Sequence, residues 1–260
     1  MSILFFSDLH LCDNRNSKPF EENRLMRLAN FIQENDFDLI VNLGDTVSRD
    51  GCLREALKPY REELFEEYLR WRKSIRVPIL DCGLYRERTF FQKIFGRPMD
   101  WVCKSLDGVT LITFAPESAN DHVATAGQWQ WFENALTEAE GQTVVICTHV
   151  PYPGCCSRVV EPGIFLDVPE AIQRRLEAFP SPVYWAGGHF HWPLEPPVVT
   201  GSLTSFMGGK FSFESERVGQ VGSGTSRTCK TSTSPTRPTR PTSYLSYLLS
   251  DSICRAELEF

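Results

Sequence analysis

Apolar residues in this chain fall into short dense runs separated by longer amphipathic stretches. Ile3–Ser7, Asp38–Leu43, Val77–Leu80, Val109–Phe114, Thr143–Thr148 and Val183–Ala186 are short runs, which predicts buried strands. Between them, Glu21–Asn35 carries Leu25, Leu28 and Ile32 at helical spacing. Pro59 suits the first turn of a helix reaching Lys73, with Tyr60, Leu64, Tyr68 and Trp71 along its inner face. Gln128–Glu140 predicts a helix burying Trp129 or Trp131 together with Phe132, Ala135 and Leu136, and Pro169–Phe179 predicts another. Strands that alternate with helices imply an α/β core with helices outside a sheet.

The pattern changes toward the end. From about Val221 to Ser243 the chain is rich in Ser, Thr, Pro and Arg, including Pro235-Thr-Arg-Pro238-Thr-Arg-Pro241. So little apolar surface cannot offset the entropy of ordering. The expected organisation is a folded domain over 1–212 and a low-complexity, disordered tail over 213–260, serving as an exposed tail or as a phosphorylation or docking segment. Tyr244–Leu249 is apolar again, and its docking on the core is left open.

A length of 260 residues, 42% apolar and 23% charged, suits one large α/β domain or a domain plus tail. A formal charge of -6 gives no broad basic field to favour nucleic acid or an anionic membrane, although a local basic groove is compatible with it. No stretch approaches the roughly 18 apolar residues of a spanning helix. Met1–Phe6 has neither a cationic region nor a cleavage site. The nine cysteines show no zinc-finger spacing. These features predict a cytoplasmic protein with reduced thiols and no membrane partner.

Candidate chemistry sits at the ends of the predicted strands. Asp8-Leu9-His10 follows the first, Gly44-Asp45 the second, Thr148-His149 a later one, and Gly188-His189-Phe190-His191 the last. Residues two apart on an extended strand end share a direction, so Asp8 with His10, and His189 with His191, each form a pair. Oxygen and imidazole donors together suit Mn, Fe, Co or Zn. One carboxylate, Asp45, can bridge two ions. Ions roughly 3.5–4 Å apart clamp and polarise a phosphoryl group and generate hydroxide at neutral pH. Taken singly, each piece reads as an ordinary turn or strand end; their shared order after strands carries the metal reading.

This ordered set resembles the calcineurin-like metallophosphoesterases, whose blocks are Asp-x-His, Gly-Asp, Gly-Asn-His-Asp/Glu, a lone His, and Gly-His-x-His. The resemblance covers about residues 1–210, and Gln128–Leu136 is similar to a helix of the cyclic-nucleotide phosphodiesterase-like branch. It implies a two-sheet β-sandwich flanked by helices in four layers. It also implies two divalent ions (Mn, Fe or Zn), with Asp8, His10 and His191 at the first, His149 and His189 at the second, and Asp45 bridging. The expected activity is hydrolysis of a phosphorylated small molecule or nucleotide, with diesters slightly favoured over monoesters.

The third block departs from the family pattern. Aligned on Gly83, Leu84 stands at the Asn position, Tyr85 at the His position and Arg86 at the acidic one. The second ion thereby loses an oxygen ligand. Asp81 or Asn42 could replace it. Alternatively, one firmly held ion could suffice, with Arg86 or Arg88 binding the substrate phosphate, Arg86 also assisting catalysis beside His149 and Asp45. A third outcome is a catalytically impaired member acting as a metal- or phosphate-binding protein or as a scaffold. Ser7-Asp8-Leu9-His10-Leu11 also resembles a DNA-repair nuclease of the same superfamily, against the acidic charge. Tyr152 and Arg158 are expected to flank the pocket. His122 reads as a surface histidine or a substrate contact, Trp192 as packing or a base-stacking residue, and Cys82 as incidental or a thiolate ligand.

Overall fold

The computed structural model describes residues 2–11, 18–47, 62–83, 88–104, 108–117, 122–156, 164–190, 197–210, 244–250 and 253–259. The strands are β1 (Ser2–Ser7), β2 (Leu39–Asn42), β3 (Ile79–Asp81), β4 (Trp101–Lys104), β5 (Val109–Thr113), β6 (Thr143–Cys147), β7 (Val183–Gly187), β8 (Val198–Thr200), β9 (Leu203–Met207), β10 (Gly209–Lys210), β11 (Tyr244–Ser250) and β12 (Ile253–Glu259). The helices are α1 (Lys18–Glu34), α2 (Glu62–Ser74), α3 (Arg88–Phe95), α4 (Ala126–Glu138) and α5 (Glu170–Glu177).

Two sheets form. The first runs β11-β12-β1-β2-β3, with β10 also on β1; the second runs β4-β5-β6-β7-β9-β8. β1, β2 and β3 are parallel, as are β5, β6, β7 and β9, while β4 and β8 are antiparallel edges. Period-two alternation decides which side chains meet which layer. Ile3 and Phe5 of β1 face the second sheet, where they join Val41, Leu43, Val145, Tyr184 and Phe206 in one buried cluster. Leu4 and Phe6 point the other way, into a cluster with Leu25, Leu28 and Ile32 of α1 and Phe65 and Tyr68 of α2. On the far side, α4 and α5 cover the second sheet through Phe132, Leu136, Ile172 and Leu176 against Ile146 and Trp185. The result is a two-sheet sandwich with helices on both outer faces, as the family resemblance implied.

The helical spacing read from Leu25, Leu28 and Ile32 matches a buried face. Trp129 is buried and Trp131 only partly so, which resolves the choice in α4. That helix starts at a capping box: the Thr125 hydroxyl accepts from the Gln128 amide while the Gln128 side chain accepts from the Thr125 amide. Of the helix expected over 59–73, residues 59–61 lie outside the described set, and α2 carries Phe65 and Tyr68 inward.

The structure differs from expectation at the end of the chain. Residues 211–243, most of the expected low-complexity tail, lie outside the described residues. Beyond them, β11 and β12 pair antiparallel and β12 pairs with β1, from Ser2↔Glu257 to Phe5↔Cys254. Tyr, Leu and Ile give this stretch a strand preference that the composition of the preceding segment masks.

Phe132 is fully buried, with ring centroids 5.4 Å from Phe114, 5.7 Å from Trp129 and 5.8 Å from Trp185. Phe132→Ala should lower the free energy of unfolding by about 3–5 kcal/mol. A urea titration followed by tryptophan fluorescence checks it, and a loss under about 1 kcal/mol would mean that this aromatic cluster repacks freely.

Candidate metal centre

The strands of both sheets deliver the ligand-type residues to one edge. Asp8 and His10 follow β1, Asp45 follows β2, His149 follows β6 and His189 follows β7, all beyond carboxyl ends of parallel strands. Open α/β sheets present ligand sites at such edges. Here two sheets share one.

The backbone at this edge is turned into an unusual conformation. Among the described residues, the non-glycine positions with positive φ are Asp8 (56°), His10 (47°), Asp45 (50°) and His189 (71°). Such a φ costs a non-glycine residue on the order of 1–3 kcal/mol and persists only where surroundings impose it. The two loops of the first sheet impose it on each other. The amides of Asp8, His10 and Leu11 donate to the carbonyls of Gly44, Asp45 and Thr46 at 3.0, 3.1 and 2.9 Å. Arg24 of α1, itself buried, donates to the carbonyls of Leu9 (2.7 Å) and His10 (3.3 Å). Gly44 must be glycine twice over: φ is 102°, and a Cβ would lie 3.3 Å from His149 Nδ1.

The side chains then converge across the sheets. Donor atoms of Asp8, Asp45 and His149, all buried residues, lie within 4.8 Å of one another. His10 Nε2 stands 3.6 Å from Asp8 Oδ1 and 3.6 Å from Asp45 Oδ2. The His189 amide donates to Asp8 Oδ2 at 3.1 Å. His149 Nδ1 is 3.1 Å from the Leu43 carbonyl, which can only accept, so the proton sits on Nδ1 and the Nε2 lone pair is presented. That Nε2 lies 3.3 Å from His189 Nδ1. A carbonyl that orients an imidazole for ligation is the usual support of a metal-binding histidine. Two carboxylates and three imidazoles, with one tautomer fixed, fit a first-row divalent ion.

Behind the site lies a buried polar network that holds Asp81 and Asn42, the two residues expected as substitute oxygen donors. Asp81 Oδ1 accepts from the Tyr68 hydroxyl and from Asn42 Nδ2 (3.2 Å), and Oδ2 accepts from Arg72 Nε (3.0 Å). Asn42 Nδ2 also reaches Thr46 Oγ1 (2.8 Å) and Tyr68 (3.0 Å), while its Oδ1 accepts the Gly44 amide at 3.1 Å. Both oxygens of Asp81 and the amide oxygen of Asn42 take part in this network, and through Asn42 it braces the Gly44-Asp45 turn. Burial raises the Asp81 carboxyl above its ordinary value although Arg72 pulls it down. Burial, reinforced by Asp81, holds the Tyr68 hydroxyl well above its own.

Other expected residues fall in different places. Tyr152, expected to flank the pocket, is buried with its ring 5.0 Å from Trp185, and burial pushes its hydroxyl up to about 12. Cys82 is buried between the sheets, its thiol 3.7 Å from the Cys147 carbonyl, so it faces packing rather than the donors. The described buried cysteines Cys82, Cys147, Cys155 and Cys156 form no disulfide. Leu84, Tyr85, Arg86, Arg158, His191 and Trp192 lie outside the described residues, and Arg88 opens α3 with its side chain outside them. The His122 ring, expected at a surface turn, stands 5.4 Å from that of His189. No described helix is long and apolar enough to cross a membrane.

Comparison with known proteins agrees with this geometry. Residues 1–80 match the family model of the calcineurin-like phosphoesterases. Among solved structures, a dimetal phosphatase from Danio rerio superposes with a TM-score of 0.62 at 13% identity, over 81% of this chain and 88% of that one. A protein assigned as a 5′-nucleotidase from Staphylococcus aureus superposes with a TM-score of 0.51 at 12% identity, over 81% of this chain and 49% of that one. No curated protein matches the chain. The first 80 residues are thus similar in sequence to the calcineurin-like phosphoesterases, and the chain as a whole shares the fold of these two structures.

The raised Asp81 carboxyl has a signed consequence for stability. The folded state holds its proton more tightly than the unfolded chain, so its contribution is fully present below the unfolded value near 3.8 and drains as pH rises through the raised folded value. Relative to Asp81→Asn, the native protein should lose unfolding free energy across that rise. Urea titrations at stepped pH check this, and a pH-independent difference would contradict it.

Proposed function

We propose that this chain is a metal-dependent phosphoesterase acting on phosphorylated small molecules or nucleotides. The observation that carries the reading is the buried meeting of Asp8, Asp45 and His149 within 4.8 Å, with His10 and His189 beside them at the seam of the sheets. In this reading Asp8, His10 and His191 hold one divalent ion, His149 and His189 hold a second, and Asp45 bridges them. Mn, Fe and Zn all suit the donors. Such ions supply Lewis-acid polarisation of a phosphoryl oxygen and activation of water. The chain's residues do the rest. The left-handed turns at Asp8, Asp45 and His189 aim the donors before substrate arrives, so little reorganisation remains during reaction. His149, tautomer fixed by Leu43, keeps Nε2 directed at the centre. Arg86 and Arg88 follow β3 in sequence and would bring cationic fork donors to the substrate phosphate.

Fold neighbours named as a dimetal phosphatase and a 5′-nucleotidase support monoesters alongside the diesters suggested by the 128–136 segment. The formal charge of -6 weighs against a nuclease role. A cytoplasmic location accords with buried cysteines that form no disulfide.

A second reading rests on the third block, where Leu84 and Tyr85 replace an oxygen ligand and an imidazole and where Asp81 and Asn42 take part in the network behind the site. In that case the chain binds metal or phosphate without turnover. Hydrolysis of aryl phosphodiester and monoester by Mn-reconstituted protein separates the two. Asp45→Ala should reduce turnover more than about a hundredfold, beyond the loss typical of a group that only supports a ligand. Unchanged turnover in that variant would remove the metal mechanism. Turnover that emerges only after Leu84→Asn with Tyr85→His would establish the second reading.

A further inference from the structure

The imidazole that the family pattern places in the third block is absent here, with Tyr85 in its position. Another imidazole reaches the centre from a different element. His122 lies in the turn between β5 and α4, and its ring meets that of His189 edge-on, centroids 5.4 Å apart at 71°. His189 in turn meets His149 at 5.2 Å and 73°. The three rings form a row leading outward from buried His149 to half-exposed His122.

The turn that carries His122 is held in place. Its carbonyl accepts the Asp167 amide at 2.7 Å, which ties it to the segment entering α5, and neighbouring Ala124 is buried. A ring so fixed, next to partly exposed His189 and itself partly open to solvent, stands where an anion bound at the centre would meet the protein. A neutral imidazole carries one N–H, and hydrogen bonds to anionic acceptors exceed those to neutral ones.

We propose that His122 is a substrate-contacting residue: its imidazole donates a hydrogen bond to a phosphoryl oxygen bound on the His149–His189 side, supplying an imidazole donor where the third block carries Tyr85 in sequence. This rests on the phosphoesterase reading above. No step of it requires His122 to change protonation state.

The test uses the full chain loaded with Mn(II) and titrated with inorganic phosphate by calorimetry. His122→Phe keeps an aromatic edge against His189 but has no donor; His122→Gln keeps a donor without the ring. Melting temperatures confirm that both variants fold. Mn affinity should stay within about twofold in both, while phosphate binding weakens about tenfold in His122→Phe, the size of one hydrogen bond to a charged group, and largely recovers in His122→Gln. Unchanged phosphate affinity in His122→Phe would overturn the proposal and leave His122 a packing residue. Mn affinity falling in parallel would overturn it too, because His122 would then act through His189. Native protein that binds Mn but no phosphate sinks this proposal alone, whereas native protein that binds no Mn sinks the phosphoesterase reading with it.

Discussion

A run of left-handed backbone at the ends of three strands is the constraint on which the rest of this structure turns. Asp8, His10, Asp45 and His189 all take positive φ, and each would relax if its loop were released. The neighbouring loops hold one another through the Asp8, His10 and Leu11 amides, and Arg24 ties down the carbonyls of Leu9 and His10 from outside. Asn42 takes up the Gly44 amide. Beneath all of these, the apolar contact between sheets, with Phe5 against Phe206 at 5.3 Å, fixes how far apart the two ligand-bearing edges stand.

Much of the fold was legible because period-two and helical patterns survive in the elements that matter. The buried parallel strands β1, β2, β5, β6 and β7 read as compact apolar runs, which is how strands covered on both faces appear. The short or edge elements did not read so. α3 has only eight residues, and β4, β8 and β10 are edge or fragment strands of at most four. β11 and β12 are set off by a Pro- and Ser-rich stretch that dominates any window laid over them.

At the candidate site the converging Asp and His residues were legible in the sequence and their supports were not. Asp8, His10, Asp45, His149 and His189 announce themselves by following strands. Asp81 shows in sequence only as a carboxylate near the altered block; its commitment to Tyr68 and Arg72 depends on how α2 lies on the first sheet. Tyr152 shows as an aromatic after a candidate ligand, yet Trp185, far along the chain, draws it into the core. Arg24 gives no local signal at all. Long-range packing decides these cases, and no window of sequence contains both partners.

Because Asp8 and Asp45 belong to one sheet and His149 and His189 to the other, the centre is a cross-link as well as a site. The direct bonds from His189 to Asp8 and from His149 to Leu43 already join the two halves. Anything gripped by all four residues would tighten that join, and linkage makes the effect mutual: the free energy by which an occupant strengthens the sandwich equals the free energy by which a sound sandwich strengthens its hold on the occupant. The apolar seam is thus a distant regulator of affinity. A methyl group lost among Ile3, Val41 and Val145, with no ligand atom disturbed, would be felt as a looser grip at the rim.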